Sequence, residues 1–224
     1  MKNTHMKFLL IPALLACTFA AQAQSAGTML IRVGATNITP NVTSDDLTAP
    51  SLVGTKSSIG SSSRLSGGIT YMVDDHFAID LPLAIPFQHD ISGDGAIRGA
   101  GKIGDVKALP ATLFAQWRFL DANATVRPYV GAGITYAAFY GARSTSTLTA
   151  LTGGTPANPT TLSVDSKWAA SFQLGATFQM SGGWFIDANY VYTPLRTRTT
   201  LSTGQTLDAT LNPSAVSLAV GMKF

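Results

Sequence analysis

The chain has 224 residues, 15 Lys and Arg against 12 Asp and Glu, 21 Gly, one Cys and a mean hydropathy of +0.21. It contains no run of about eighteen apolar residues, which excludes a transmembrane helix, and one cysteine excludes an intrachain disulfide framework. The near balance of charge gives nucleic-acid binding no footing.

Residues 1–23 read as a secretory leader. Lys2 and Lys7 precede an apolar stretch from Phe8 to Ala21, and Ala21-Gln22-Ala23 is a small-x-small cleavage signal, with the cut after Ala23. Leu14-Leu15-Ala16-Cys17 resembles a lipobox, but Leu15 is large for its position and a good cleavage site follows, so lipidation of Cys17 is the weaker reading. Cleavage leaves 13 basic residues against 12 acidic. Residues 24–224 read as one domain.

The first predicted strand, Met29 to Thr36, sets Met29, Ile31, Val33 and Ala35 against Arg32, Gly34 and Thr36. Thr39 to Ser63 is rich in Ser, Thr, Asn, Pro and Gly and reads as a long loop. Leu65 to Phe87 reads as a hairpin around Asp74-Asp75-His76. Leu65, Ile69, Tyr71, Val73, Phe77, Ile79, Leu81, Leu83, Ile85 and Phe87 form one greasy face; Arg64, Ser66, Thr70, Asp80, Pro82 and Pro86 lie on the other. Gln88 to Val106 reads as irregular. The fourth strand, Lys107 to Phe119, turns Leu109, Leu113 and Trp117 outward and Pro110, Thr112, Phe114, Gln116 and Arg118 inward. The fifth, Arg127 to Gly141, sets Val130, Ile134, Tyr136 and Tyr140 against Gly131, Gly133 and Thr135. After a Thr- and Gly-rich loop to Ser166, the sixth strand sets Trp168, Phe172, Leu174 and Phe178 against Lys167, Ser171, Gln173 and Thr177. Ser181-Gly182-Gly183 is a tight turn into the seventh strand, with Trp184, Ile186, Tyr190 and Tyr192 opposite Asp187 and Asn189. A last loop, Arg196 to Asn212, precedes the eighth strand, where Val216, Leu218, Val220, Met222 and Phe224 face out.

Eight strands joined alternately by long and short connections predict an all-β fold, an eight-stranded antiparallel transmembrane β-barrel in the bacterial outer membrane with both termini periplasmic. Its surroundings are then outer-membrane lipid and lipopolysaccharide. Arg32, Arg64, Asp80, Arg118, Lys167, Asp187 and Lys223 take the inward phase, as a lipid-facing charge near the midplane costs about 2–4 kcal/mol, and only Lys107, at the outer end of the fourth strand, falls on the other phase. Phe77, Trp117, Phe119, Trp184 and Phe224 form one candidate aromatic girdle; Phe87, Tyr140, Trp168 and Tyr192 form the other. Arg32, Asp80, Arg118 and Asp187 lie near the periplasmic end, where opposite charges should pair as a plug and leave no open water pore. Phe224 fits the terminal aromatic that the barrel-assembly machinery reads.

Prolines locate a weak place in the wall. Pro82, Pro86 and Pro110 fall in neighbouring strands, and each lacks a ladder donor. The seam between the third and fourth strands should therefore splay, with Phe87, Leu109 and Phe114 as an apolar lining: a lateral gate for a hydrophobic solute. The plainer reading is that these prolines end two strands early.

The chain also resembles the OmpW family of small outer-membrane barrels. The matching segments are Leu30-Ile31-Arg32-Val33-Gly34-Ala35, Thr70-Tyr71-Met72-Val73-Asp74-Asp75, Ile85-Pro86-Phe87-Gln88-His89-Asp90, Leu109-Pro110-Ala111-Thr112 and Arg127-Pro128-Tyr129-Val130-Gly131-Ala132-Gly133. Two departures are the missing aromatic before Arg32 and Met222 where an aromatic is usual. The resemblance implies an eight-stranded barrel that passes small hydrophobic compounds across the outer membrane, with exit sideways into lipid.

Other motifs carry less. Gly99-Ala100-Gly101-Lys102-Ile103-Gly104 fits a dinucleotide fingerprint, but no βαβ unit surrounds it, so it reads as a flexible loop. The three histidines form no metal constellation, and no cofactor is expected. His89 beside Asp90 raises a lipid A-modifying enzyme as a minor alternative; the chain has no Glu and no nucleophile motif, and a polar loop base is the simpler reading. A structural or receptor-type barrel that binds partners through its long loops is the main alternative to transport.

Overall fold

The computed structural model describes residues 23–224, so Cys17 and all of the expected leader except Ala23 lie outside the described residues. The strands are β1 (Met29–Thr39), β2 (Thr43–Ser44), β3 (Thr55–Ile59), β4 (Ser62–Met72), β5 (Phe77–Ala84), β6 (Phe87–Gly95), β7 (Lys102–Arg118), β8 (Val126–Ser144), β9 (Leu162–Val164), β10 (Lys167–Gln179), β11 (Trp184–Tyr192), β12 (Arg196–Leu201), β13 (Thr206–Thr210) and β14 (Ser214–Lys223), with a short helix α1 (Ser146–Leu151). Eight staves close the barrel: β1, β3 with β4, β5 with β6, β7, β8, β10, β11 and β14. Every neighbouring pair is antiparallel, and β7 pairs with β8 to complete the ring.

The wall is inside out relative to a soluble domain. Leu65 is 67% exposed while Thr70 and Asp80 are 0% exposed, which places carbon against lipid and polar groups in the lumen. β1 holds ten register positions with β14 and ten with β4. Met29 and Phe224 exchange main-chain hydrogen bonds of 2.9 and 2.8 Å where the first and last strands meet.

The structure corrects two expectations. The stretches read as irregular loops are partly strands: β3 and β6 extend the first hairpin, and β2, β13, β12 and β9 form a separate four-stranded sheet at the long-loop end. A buried cluster including Leu47, Ile103, Leu162, Leu201, Leu207 and Leu211 packs beneath it, and burial of that carbon gives the loops their order. Phe87, assigned to the outer girdle, is buried, because the chain kinks at Ile85-Pro86 and β6 resumes one residue out of phase with β5 against β7. A one-residue slip turns every following side chain to the other face. Lys167 keeps the inward phase, opposite the buried Ala137, but at the end of β10 it stands half-exposed, 3.3 Å from Asp165.

Candidate functional site

The lumen floor is a buried polar network near the short-turn end. Arg32 on β1 forks onto Asp80 on β5, with Nη1 to Oδ1 at 2.8 Å and Nη2 to Oδ2 at 3.0 Å, and Thr70 bridges them at 2.7 and 2.6 Å. A Cβ at Gly68 would stand 2.8 Å from Arg32 Nη2, so the missing side chain there is what admits the guanidinium. Arg32 Nε lies 3.8 Å from Asp187, whose carboxylate also accepts from Tyr129, Thr177 and Asn189.

Arg118 differs. It was expected to pair with a carboxylate, yet its guanidinium donates to Gln24 Oε1 at 2.9 Å, Thr177 at 3.0 Å and Gln116 Oε1 at 3.0 Å, and lies 4.7 Å from the centre of the Tyr129 ring. Amide oxygens and an aromatic face thus take the place of a counter-ion. Arg127 gathers main-chain carbonyls instead, donating to Gln24 at 2.7 Å, to Phe119 and to Asp75. Gln24, just before β1, therefore stoppers the short-turn end. Its Nε2 and Arg118 Nε are buried without a partner among the described residues.

Above this floor the wall opens on one side. β5 pairs with β7 from Phe77↔Trp117 to Asp80↔Phe114, and pairing resumes only at Phe87↔Ala108 on β6. Six residues, Leu81 to Pro86, therefore face five, Leu109 to Leu113, with no ladder between them. On its other edge β5 stays paired with β4 as far as Ser66↔Ala84, so the lapse belongs to one seam. Pro82, Pro86 and Pro110 all fall within it, and Arg64 Nε holds the carbonyl of Pro86 at 3.2 Å.

A lumen cavity of about 150 Å³ adjoins the seam. Pro110, Phe87 and Phe114, three of the residues singled out in the sequence, line it, with Pro82 and Ala84 beside them; Pro86 and Leu109 do not. Leu83, a lipid-facing residue 50% exposed, also borders the cavity, so the space reaches the wall at the unpaired segment. A Cβ at Gly133 would sit 2.7 Å from the Phe114 ring, which explains the small residue on β8.

The comparisons agree with this architecture. Residues 25–224 match the profile of the OmpW family. The chain belongs to the OmpW family. Outer membrane protein W of Vibrio cholerae is 32% identical over 208 residues, covering 90% of this chain and 91% of that protein. The crystal structure of the outer membrane protein OprG from Pseudomonas aeruginosa superposes with a TM-score of 0.80 at 25% identity, covering 91% of this chain and 99% of the other. A more distant relative, 24% identical over 86% of this chain and 87% of its own, is the dibenzothiophene metabolism operon protein PahQ of Pseudomonas aeruginosa. This OmpW-family barrel is thus an integral protein of the bacterial outer membrane.

A second cavity, of about 90 Å³, lies higher in the barrel, under the sheet of long-loop strands. It shares Ile59, Val106, Phe139 and Leu211 with the lower one, giving a continuous apolar lining from the long-loop end to the seam. His89 and Asp90 are not brought together: the His89 ring bonds the Gly60 carbonyl at 2.8 Å, while Asp90 pairs with Lys102 at 2.7 Å. Sequence reasoning missed Gln24, Arg127 and Tyr129, and it set Gln116 and Gln173 on the inward face without giving them a part in the floor, where Gln116 Nε2 donates to Gln173 Oε1 at 2.7 Å. Arg127 carried a signal that went unread, a charge opening a strand in the inward phase.

Proposed function

We propose that this barrel carries small hydrophobic molecules across the outer membrane and releases them sideways into the lipid between β5 with β6 and β7. The observation that carries this reading is the lapse in pairing between Asp80↔Phe114 and Phe87↔Ala108, with a cavity against it. Backbone left unpaired at membrane depth is tolerated only where it borders a cavity or protein. A solute entering from the long-loop end meets carbon in both cavities and then the floor, where Arg32, Asp80, Arg118 and Asp187 hold one another in hydrogen bonds or through shared partners. An apolar molecule offers those groups nothing in exchange, so straight passage to the periplasm is closed and the seam is the remaining exit. The name of the relative PahQ, which refers to an apolar aromatic compound, favours the same class of solute.

Uptake of octane by cells with and without the protein tests this. The barrel raises uptake, and Pro86→Val with Pro110→Thr, or a disulfide joining the two unpaired segments, returns it to the level of cells lacking the barrel while heat-modifiable protein still reaches the outer membrane. Planar bilayers show no large ohmic conductance. Full uptake through an assembled, crosslinked barrel would exclude the lateral route.

A further inference from the structure

The cavity beside the seam is not lined by carbon alone. Thr112 on β7, Thr135 on β8, Ser171 on β10 and Thr193 just after β11 form a chain of buried hydroxyls, with successive oxygens 2.8, 2.5 and 2.7 Å apart. On the facing wall Ser66, Thr36 and Ser217, on β4, β1 and β14, form a second chain at 2.7 and 2.7 Å. All of them except Ser171 border the cavity. Between Thr112 and Ser66 lies β5, which presents Pro82 and Ala84; the seam thus runs between the ends of two hydroxyl arcs.

Counting protons shows what the longer arc can do. Each hydroxyl carries one proton and two lone pairs. Four hydroxyls share three bonds, so one proton is left over, and it stands at an end of the chain whenever the bonds all run in one direction. If Thr193 donates to Ser171, Ser171 to Thr135 and Thr135 to Thr112, the Thr112 proton is free; if the chain runs the other way, Thr112 offers only lone pairs. Hydroxyl rotation interconverts the two. Thr112 lies in the unpaired segment, between Pro110 and Phe114, and can therefore meet a solute oxygen as donor or a solute hydroxyl as acceptor. A bare hydrocarbon leaves the remaining proton or lone pairs of that buried hydroxyl, beyond its bond to Thr135, without a partner, at a cost in desolvation. An ionised solute finds no free counter-charge in the cavity lining, where Arg32 is engaged with Asp80 and Asp187 and Arg118 takes no part.

We propose that the hydroxyl chain ending at Thr112 is a polar subsite that makes the barrel prefer uncharged, mostly apolar molecules bearing one oxygen group, an alcohol, ketone or phenol, over plain hydrocarbons. This rests on the transport reading above for its role, though not for the existence of the subsite. The test is competitive uptake of octane and 2-octanone, each separately labelled, by cells carrying the wild type, Thr112→Val or Thr112→Ser, with heat-modifiability confirming assembly. Thr112→Val is expected to lower the ketone-to-octane ratio roughly two- to tenfold, the worth of one net hydrogen bond, and Thr112→Ser to retain it. Equal ratios in all three would overturn the proposal and leave the hydroxyls as cross-strand staples. Binding is read separately, from the carbonyl carbon signal of 2-octanone with purified barrel in lipid nanodiscs. The signal moves with the wild type and less with Thr112→Val; no difference from empty nanodiscs overturns the subsite. Should the barrel speed neither solute, the transport reading falls and the nanodisc measurement alone decides the subsite.

Discussion

The floor of the barrel and the wall above it are built from the same eight staves and behave oppositely. At the floor, β5 is paired on both edges, with Thr70↔Asp80 on one side and Asp80↔Phe114 on the other. Above Asp80 the β4 edge continues and the β7 edge does not. Charges sit where the wall is closed, because a buried guanidinium or carboxylate must be surrounded by fixed partners. Carbon and hydroxyl sit where it is open, because that region borders lipid. Pro82, Pro86 and Pro110 divide the two regimes by withholding donors, and one extra residue between Leu81 and Pro86 keeps the ladder from closing over the gap.

The closed floor is most sensitive at Asp80. Asp80→Ala leaves Arg32 buried with the Thr70 hydroxyl and, for a carboxylate, the 3.8 Å approach of Asp187. Removing one partner of a buried pair costs about 3–5 kcal/mol, whereas replacing both by apolar groups is often neutral. Urea unfolding in lipid vesicles should show a large drop in midpoint for Asp80→Ala and recovery of most of it in Arg32→Met with Asp80→Leu. An unchanged midpoint for the single variant would mean that the floor is held by the rest of the network.

A smaller effect is expected at the ends of the chain. Phe224 exchanges two main-chain bonds with Met29 and keeps its ring 57% exposed toward lipid. We propose that the assembly machinery reads this residue and that it then closes the floor; deleting it should reduce the heat-modifiable protein in the outer membrane. The full amount of assembled protein would separate closure from Phe224.

How much of this was legible follows from which residues the membrane constrains. Strand phase was readable because lipid admits only carbon, so Leu65, Ile134 and Leu218 announce their face. Arg32, Asp80, Arg118 and Asp187 stood out because a charge in a greasy strand must point inward. Gln116, Gln173 and Tyr129 did not, since a neutral polar or aromatic group is acceptable on many surfaces. Gln24 precedes the first strand and has no alternation to place it. Phe87 misled because Leu83, Ile85 and Phe87 continue one apolar phase across Pro86; the proline marked a break, but the change of face depends on pairing with Ala108, far away in sequence. The outer sheet was hidden for the same reason: β2 and β13, for example, meet through Ser44↔Ala209.

The smallest effect concerns the turn that anchors the hairpin at its closed end. Asp74 Oδ1 accepts from the main-chain N–H of His76 at 2.8 Å and of Phe77 at 2.7 Å, and these donors hold its carboxyl below the ordinary range. A carboxylate whose folded pKa is depressed adds stability above its unfolded pKa, about 4, and loses it as pH falls through the folded value. Asp74→Asn keeps a side-chain oxygen for the same turn but has no charge to titrate. Unfolding midpoints measured from neutral pH down through the carboxylate range should therefore fall more for the wild type than for Asp74→Asn, with the other carboxylates common to both cancelling in the difference. The gap should be small because the side chain is solvent-exposed and its field is screened. Uptake at neutral pH should stay the same, since the turn lies beyond the floor from the seam. Parallel midpoint curves would show that the two N–H bonds hold the turn equally well with an amide, and altered uptake would show that the closed end of the hairpin communicates with the open wall.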